Sequence, residues 1–225
     1  MKKESIFSVL GLLLFFGAAA ILNSCKSDEP NTNSPENPSS LTAKSVIING
    51  VTWATCNLDK PGTFAATPES SGMFYQWNRK IGWSANDPLI NSDGGTQCDA
   101  TMPQGSEWTT TNDPSPAGWR VPNYDELRSL IDTAKVNITW TQQNGVFGEL
   151  FTDKTSGKSL FLPAAGFRDM SNGGELIKNF YVGFFYWFSP QYNNIAALCL
   201  FLDLGDVYDA YTSKMYALPI RCVEK

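Results

Sequence analysis

The chain begins with an apolar segment that leads to a cysteine, and this segment restricts the folded part to the residues after the cysteine. Lys2 and Lys3 precede an apolar run over residues 6–20, and residues 21–24 connect that run to Cys25. A basic start, an apolar middle and small residues before a cleavage point are typical of a secretory signal. A single transmembrane helix is the alternative, because the run is close to the shortest length that spans a bilayer.

The residues around the cysteine resemble the lipobox of bacterial lipoproteins. Leu22-Asn23-Ser24-Cys25 carries the resemblance, although a small residue is more usual than Asn23 at its position. The resemblance implies that signal peptidase II removes residues 1–24 and that the Cys25 sulfur carries a diacylglycerol. Each buried methylene contributes about 0.8 kcal/mol, so several acyl chains hold a protein on a membrane. We therefore expect a lipid-anchored protein of the outer membrane.

Residues 25–44 are interpreted as a disordered tether after the signal peptide. Residues 26–40 contain no large apolar side chain, and such a stretch cannot bury enough surface to offset its ordering entropy. Lys26-Ser27-Asp28-Glu29 also resembles the acidic export signal that sends Bacteroidetes lipoproteins to the cell surface. An ordinary solvated linker is the alternative. The folded domain is expected over residues 45–225.

Composition argues against several classes of function. The formal net charge is −5, and residues 1–24 contribute +1, so the remaining chain carries −6 without a basic cluster. This charge argues against a nucleic-acid partner. The chain has no histidine, which removes Ser-His and Cys-His nucleophiles and His-ligated zinc. Composition cannot exclude a pair of catalytic carboxylates, so glycosidase chemistry stays open. The sequence contains no phosphate-binding loop, nucleophile elbow or C-x-x-C pair. We therefore predict a non-catalytic protein.

The hydrophobic pattern predicts an α+β domain of short, mostly antiparallel strands, one clear helix and long loops. Asn49-Gly50 between β-branched residues is typical of a tight hairpin turn, here within residues 45–54. The other strand-like segments cover residues 73–78, 137–142, 149–152, 159–162, 181–188, 195–202, 207–211 and 216–223. Residues 84–118 are rich in Gly, Pro, Asn and Thr and predict a long loop.

The helix is predicted over residues 124–134. Asn123 followed by Glu126 has the spacing of a capping box, in which each side chain bonds the other's backbone N–H. The apolar residues of this segment recur with helical period, so they are expected on one packed face; they are Tyr124, Leu127, Leu130 and Ile131.

Four cysteines follow the lipidated one, and an oxidising compartment allows them to form disulfides. They are Cys56, Cys98, Cys199 and Cys222. Four cysteines allow three pairings. Cys56–Cys98 with Cys199–Cys222 is the preferred one, and buried free thiols are the alternative.

Three aspartates recur at every third residue around a turn expected at Gly205-Asp206. Carboxylates gathered on a turn can supply some of the oxygen ligands of calcium, so Asp203, Asp206 and Asp209 are candidate Ca²⁺ ligands. Strand alternation, however, puts Asp203 and Asp206 on opposite faces if no bulge intervenes. A solvated polar hairpin without metal is the alternative.

Aromatic and polar residues near the predicted loops are candidates for ligand binding. Exposed tyrosines beside polar groups form stacking surfaces for sugars or contact patches for proteins, whereas buried ones belong to the core. The candidates near these loops are Tyr192, Asn193, Asn194, Tyr208, Asp209 and Tyr211. Trp53, Trp119 and Trp187 lie in strand-like motifs and are expected in the core.

Arg168 and Asp169 form a second candidate pair. A guanidinium beside aromatic or carboxylate groups can hold a ligand. The alternative for Arg168, as for Arg120, is a structural arginine that satisfies loop carbonyls.

Five segments together resemble one known family. They are Ile-Asn-Gly-Val-Thr-Trp-Ala at 48–54, Met-Phe-Tyr-Gln-Trp-Asn at 73–78, Pro-Ala-Gly-Trp-Arg-Val-Pro at 116–122, Leu-Phe-Leu-Pro-Ala-Ala-Gly-Phe-Arg at 160–168 and Ile-Arg-Cys-Val at 220–223. In this order they resemble the Fibrobacter succinogenes major paralogous domain, found on lipoproteins of Bacteroidetes and Fibrobacteres. The resemblance covers residues 45–225 and implies a C-type-lectin-like fold related to formylglycine-generating enzymes.

The chain departs from the family at three places. Ser115 stands where the family often has a cysteine, so a disulfide from that position is lost and Cys98 is a candidate substitute. Phe188 interrupts the usual Tyr-Trp-Ser-Ser motif. Residues 190–194 are too few to form the calcium-binding long loop of sugar-binding C-type lectins.

The expected function is a surface lipoprotein whose non-catalytic domain binds glycans or proteins. Two alternatives belong to other classes. The first is a structural or tip subunit of a surface assembly such as an adhesive pilus. The second is an enzyme related to formylglycine-generating proteins, but no cysteine matches their copper-dependent site.

Overall fold

The computed structural model describes residues 45–178 and 183–225. Every described residue belongs to one compact unit, Leu41–Lys225. The predicted signal peptide, Cys25 and the tether of residues 25–44 lie outside the described residues, as do residues 181 and 182 of the predicted aromatic strand. No helix in the described ranges is long and apolar enough to cross a membrane.

The described residues form short antiparallel strands and one α-helix, in agreement with the predicted α+β class. In chain order the elements are β1 (Ser45–Ile48), β2 (Val51–Ala54), β3 (Met73–Gln76), β4 (Gly82–Ser84), β5 (Trp119–Arg120), α1 (Tyr124–Leu130), β6 (Val136–Gln143), β7 (Val146–Asp153), β8 (Ser159–Pro163), β9 (Phe167–Asp169), β10 (Glu175–Ile177), β11 (Phe184–Gln191), β12 (Ala196–Asp203), β13 (Asp206–Ser213), β14 (Tyr216–Leu218) and β15 (Val223–Glu224). They form four sheets, ordered β1-β2-β15-β5, β10-β9-β14-β3-β4, β11-β12-β13 and β6-β7-β8.

The first hairpin forms where the sequence predicts it. Asn49 and Gly50 have φ of 46° and 81°, which is the left-handed pair that a two-residue type I′ turn requires. The Asn49 N–H donates to the Asp153 carboxylate at 2.8 Å, so the turn is also tied to the end of β7. Backbone hydrogen bonds from Ser156 and Asn49 lower the pKa of Asp153 to about 2.

Helix α1 has the predicted capping box but ends at Leu130, four residues before the predicted end. Asn123 accepts from the Glu126 N–H, and Glu126 accepts from the Asn123 N–H. Arg120 donates two hydrogen bonds, of 2.8 and 2.5 Å, to the Glu126 carboxylate. This supports the interpretation of Arg120 as a structural arginine. The helix stops early because Asp132 accepts from the Ala134 N–H, and such local bonds compete with helical ones.

The last predicted strand is two strands that belong to different sheets. β14 pairs with β3 and β9, whereas β15 pairs with β2 and β5. The residues between them carry the chain from one sheet to the other, and the carbonyls of Ile220 and Cys222 accept from the N–H groups of Leu58 and Ala54. Each of the other predicted strands overlaps an observed strand.

The tryptophans mark where the core lies. Trp53 and Trp187 are buried, as predicted, while Trp119 is half-buried against Phe64. The first part of the core joins α1, the inner face of β6–β8 and one face of β11 and β12. The second surrounds Trp77 and Trp187, so the sheet β11-β12-β13 separates the two.

Arg168 is buried and donates to loop carbonyls. Its side chain contacts the carbonyl oxygens of Ser84 and Asn86, both at 2.6 Å, and of Gly174 at 2.7 Å. A further contact of 3.2 Å joins the guanidinium to the Asp87 carboxylate. Arg168 therefore fits the alternative of a structural arginine that satisfies loop carbonyls, because its donor groups are already engaged within the domain.

Two other buried cations act in the same way. Arg221 donates to the Asn57 side chain at 2.9 Å and to the carbonyl of Ala54 at 3.3 Å. The Lys214 ammonium donates to the Gly105 carbonyl at 3.2 Å. Neither cation forms an ion pair within the described residues, so their hydrogen bonds go to neutral acceptors in loops and at the ends of strands.

The four domain cysteines are free thiols in this structure. The preferred pairs Cys56–Cys98 and Cys199–Cys222 are not formed. Cys98 donates to the Met170 carbonyl at 3.1 Å, and burial raises the pKa of the Cys199 thiol. The Cys222 sulfur lies 3.2 Å from the hydroxyl oxygen of Ser115.

The contact between Ser115 and Cys222 predicts a new disulfide. Ser115→Cys should oxidise with Cys222 and stabilise the folded protein by about 2–4 kcal/mol, because the bond closes a long loop in the unfolded chain. Peptide mapping without reductant and thermal unfolding with and without reductant would measure both effects. Ser115→Cys with Cys222→Ser is the matched control. A thiol at position 115 that stays reactive beside an intact Cys222 would contradict the prediction.

Candidate functional site

The sheet β11-β12-β13 exposes tyrosines on both of its faces. Tyr208 is the cross-strand partner of Phe201, and Tyr211 is the partner of Leu198. Residues three apart on one strand point to opposite faces, so Tyr208 and Tyr211 cannot belong to one binding surface. The predicted set of tyrosines is therefore divided between two faces.

On one face Tyr192 and Tyr211 form a stacked pair that we call the tyrosine platform. Their ring centroids are 4.0 Å apart and the ring planes differ by 4°. The side chains remain exposed, with 55% and 57% of their surfaces accessible to solvent. Two large aromatic residues thus present a preformed apolar surface to solvent.

The turn between β11 and β12 holds Tyr192 in place. The Asn193 side chain accepts from the N–H groups of Ile195 and Ala196, each at 2.9 Å. The Tyr192 N–H donates to the Ala196 carbonyl at 2.9 Å. Asn193 therefore shapes the turn, while Asn194 lies exposed at its tip.

A charged network lies beside the platform on the same face. Asp209 is two residues before Tyr211 on β13 and accepts from the Tyr124 hydroxyl at 3.0 Å and from Arg128 at 2.9 Å. The hydrogen bond to Asp209 raises the pKa of Tyr124. Asp209 thus brings a phenol and a guanidinium to the strand that carries Tyr211.

Tyr124 and Arg128 extend the site beyond the residues that the sequence indicates. Tyr124 is predicted on the packed face of α1, whereas Leu127 and Leu130 are buried and Tyr124 is exposed. The hydroxyl explains this difference, because a buried phenol needs a hydrogen-bond partner and Tyr124 finds Asp209 at the surface. No signal in the sequence pairs α1 with β13.

The three candidate calcium ligands do not converge. The turn is Leu204-Gly205, with φ of 48° and 108°, one residue earlier than predicted. Asp203 and Asp206 are direct cross-strand partners, so they share a face, contrary to the sequence-based expectation; a shift of one residue changes the face of every side chain. Asp209 lies on the other face, and no group of three or more acidic or cysteine residues in the described ranges can hold a metal.

Asp169 and Tyr208 also lie apart from the platform. The Asp169 carboxylate accepts from the backbone N–H and the hydroxyl of Ser171, which caps a short 3-10 turn. Tyr208 packs against Phe201 with ring centroids 5.1 Å apart. Of the predicted ligand-binding residues, the structure brings together Tyr192, Asp209 and Tyr211.

Comparison with protein families, with curated proteins and with solved structures gives no match to this chain.

Proposed function

We propose that the protein is a lipoprotein on the outer face of the outer membrane and that its domain binds glycans through the tyrosine platform. The observation that carries this proposal is the exposed, stacked pair Tyr192 and Tyr211 beside the network of Asp209. The domain is non-catalytic in this proposal, and binding alone is its activity.

The platform has the chemistry that a sugar needs. Aromatic rings offer large, rigid apolar area, and a surface that is already ordered costs little entropy when a ligand binds. Sugar hydroxyls can donate to the Asp209 carboxylate and accept from Arg128. A specific protein interface buries about 800 Å² on each partner, and a pair of tyrosines bordered by charged groups suits a smaller, more polar ligand better.

The family resemblance belongs to the same proposal. We infer a domain of the Fibrobacter succinogenes major paralogous type with a C-type-lectin-like fold. Its support is that the matching segments include β2, β3 and β5, most of β8 and β9, and the first residue of β15, and that most of these strands lie in the two larger sheets. Ser115, which replaces the family's cysteine, also lies against Cys222, a suitable partner for a cysteine at that position.

The lipid anchor is tested by labelling. Cells that express the full chain should incorporate radiolabelled palmitate into it, and Cys25→Ala should abolish the label because the acyl acceptor is removed. Cys56→Ala, a cysteine of the domain, should keep the label. Incorporation that survives Cys25→Ala, or no incorporation into the unaltered chain, would contradict the anchor.

The platform is tested by a glycan array probed with the detergent-purified protein, followed by titration of the glycans that bind. Tyr211→Ala should weaken binding roughly tenfold, since loss of one stacked aromatic costs about 0.5–1.5 kcal/mol beyond its buried area. Tyr208→Ala is the matched control, because it removes an exposed tyrosine from the same strand on the opposite face. Equal losses in both variants would contradict the proposal, and an array without any bound glycan would favour a protein ligand.

A further inference from the structure

A cleft of about 470 Å³ is lined by residues that contribute nothing to the tyrosine platform. One wall is formed by residues 70–72 and the other by residues 84–86. Asp59, Lys60 and Met73 also line the cleft. Small-molecule sites commonly have volumes of about 300–1,000 Å³, and the cleft falls within that range.

The first wall is held from behind by a buried side chain. The Asn57 amide donates to the carbonyls of Ser70 and Ser71 at 3.3 and 3.2 Å. The Asn57 oxygen in turn accepts from Arg221, which fixes the orientation of the amide. At Gly72 an added Cβ would lie 1.9 Å from the Leu58 carbonyl oxygen, so this wall tolerates no side chain there and cannot shift without breaking the contact.

The second wall is held in the same manner by Arg168. The guanidinium is 1% exposed and donates to the carbonyls of Ser84 and Asn86. The Lys178 ammonium also donates to the Asn86 side-chain oxygen at 2.9 Å. Both walls of the cleft are therefore fixed by buried polar groups, which is the preorganisation that a binding site requires.

The groups that face the cleft have unused hydrogen-bonding capacity. Over residues 45–178 and 183–225, no hydrogen bond engages the Asp59 carboxylate, the Lys60 ammonium or the Ser71 hydroxyl. A neutral sugar presents hydroxyls that both donate and accept, so it can satisfy a carboxylate and an ammonium together. The Asp59 carboxylate repels an anionic ligand, and the ammonium groups of Lys60 and Lys178 repel a cationic one.

We propose that this cleft is a second binding site, separate from the tyrosine platform, for a neutral monosaccharide or disaccharide. Asp59 accepts from the ligand's hydroxyls, and Lys60, Ser71 and the Asn86 amide nitrogen donate to its oxygens. The proposal does not depend on the platform, because the two sites share no residue.

Saturation-transfer NMR with the full-length protein in detergent tests the cleft. The probes are glucose, galactose, mannose, N-acetylglucosamine and maltose, with glucose 6-phosphate as the anionic comparison. At least one neutral sugar should bind. Asp59→Asn and Asn86→Ala should each weaken its binding about tenfold, because the first removes a charged acceptor and the second removes a donor that the sugar contacts. Asp125→Asn, an exposed aspartate on α1, should leave that binding unchanged.

Thermal unfolding of each variant separates lost binding from lost structure. If Asp59→Asn or Asn86→Ala melts early, Ser71→Ala tests the cleft instead, because it removes only one hydroxyl and should also weaken binding. Binding that is lost in Tyr211→Ala and kept in Asp59→Asn would place the sugar on the platform and overturn the proposal. Tighter binding of glucose 6-phosphate than of every neutral sugar, or no binding of any neutral sugar, would overturn it as well.

Discussion

Buried cations that donate to loop carbonyls are the interaction on which the rest of this structure depends. Arg168, Lys214 and Arg221 all come from the last third of the chain, and each contacts loops from earlier in the chain. The long segment from β4 to β5 has few strand or helix hydrogen bonds of its own. Because buried carbonyls without a donor are costly, these cations allow long loops to pack closely against the sheets.

The buried cations bear differently on the two proposed binding sites. The tyrosine platform lies on a paired strand and a turn closed by Asn193, so its rings are presented by regular structure. The shape of the cleft depends on Arg168 directly and on Arg221 through Asn57. Lys214 also lies 4.2 Å from the centre of the Trp77 ring, a cation–π contact that ties the loop at residue 105 to the core.

Local features of the fold could be predicted from the sequence, whereas contacts between distant segments could not. The hairpin at Asn49-Gly50 and the capping box of α1 depend on residues within four positions of each other, and both formed as predicted. The hydrogen bond between Tyr124 and Asp209 joins residues far apart in the chain, and no local pattern encodes it. For Arg168 the residue type allowed both a ligand contact and a structural contact, and only the fold decides between them.

Amide hydrogen exchange in Arg168→Met tests the role of the buried cations most directly, since methionine keeps an apolar stem and removes every donor. The N–H groups of Ser84, Asn91 and Ser92 are hydrogen-bonded within the loop region that Arg168 contacts, so their exchange reports its order. We predict faster exchange over residues 84–95 with unchanged protection in β12, and no change in either region for Arg128→Met, which alters an exposed arginine. Unchanged exchange over residues 84–95, or an equal rise throughout the domain, would contradict a local role for Arg168 in holding the loops.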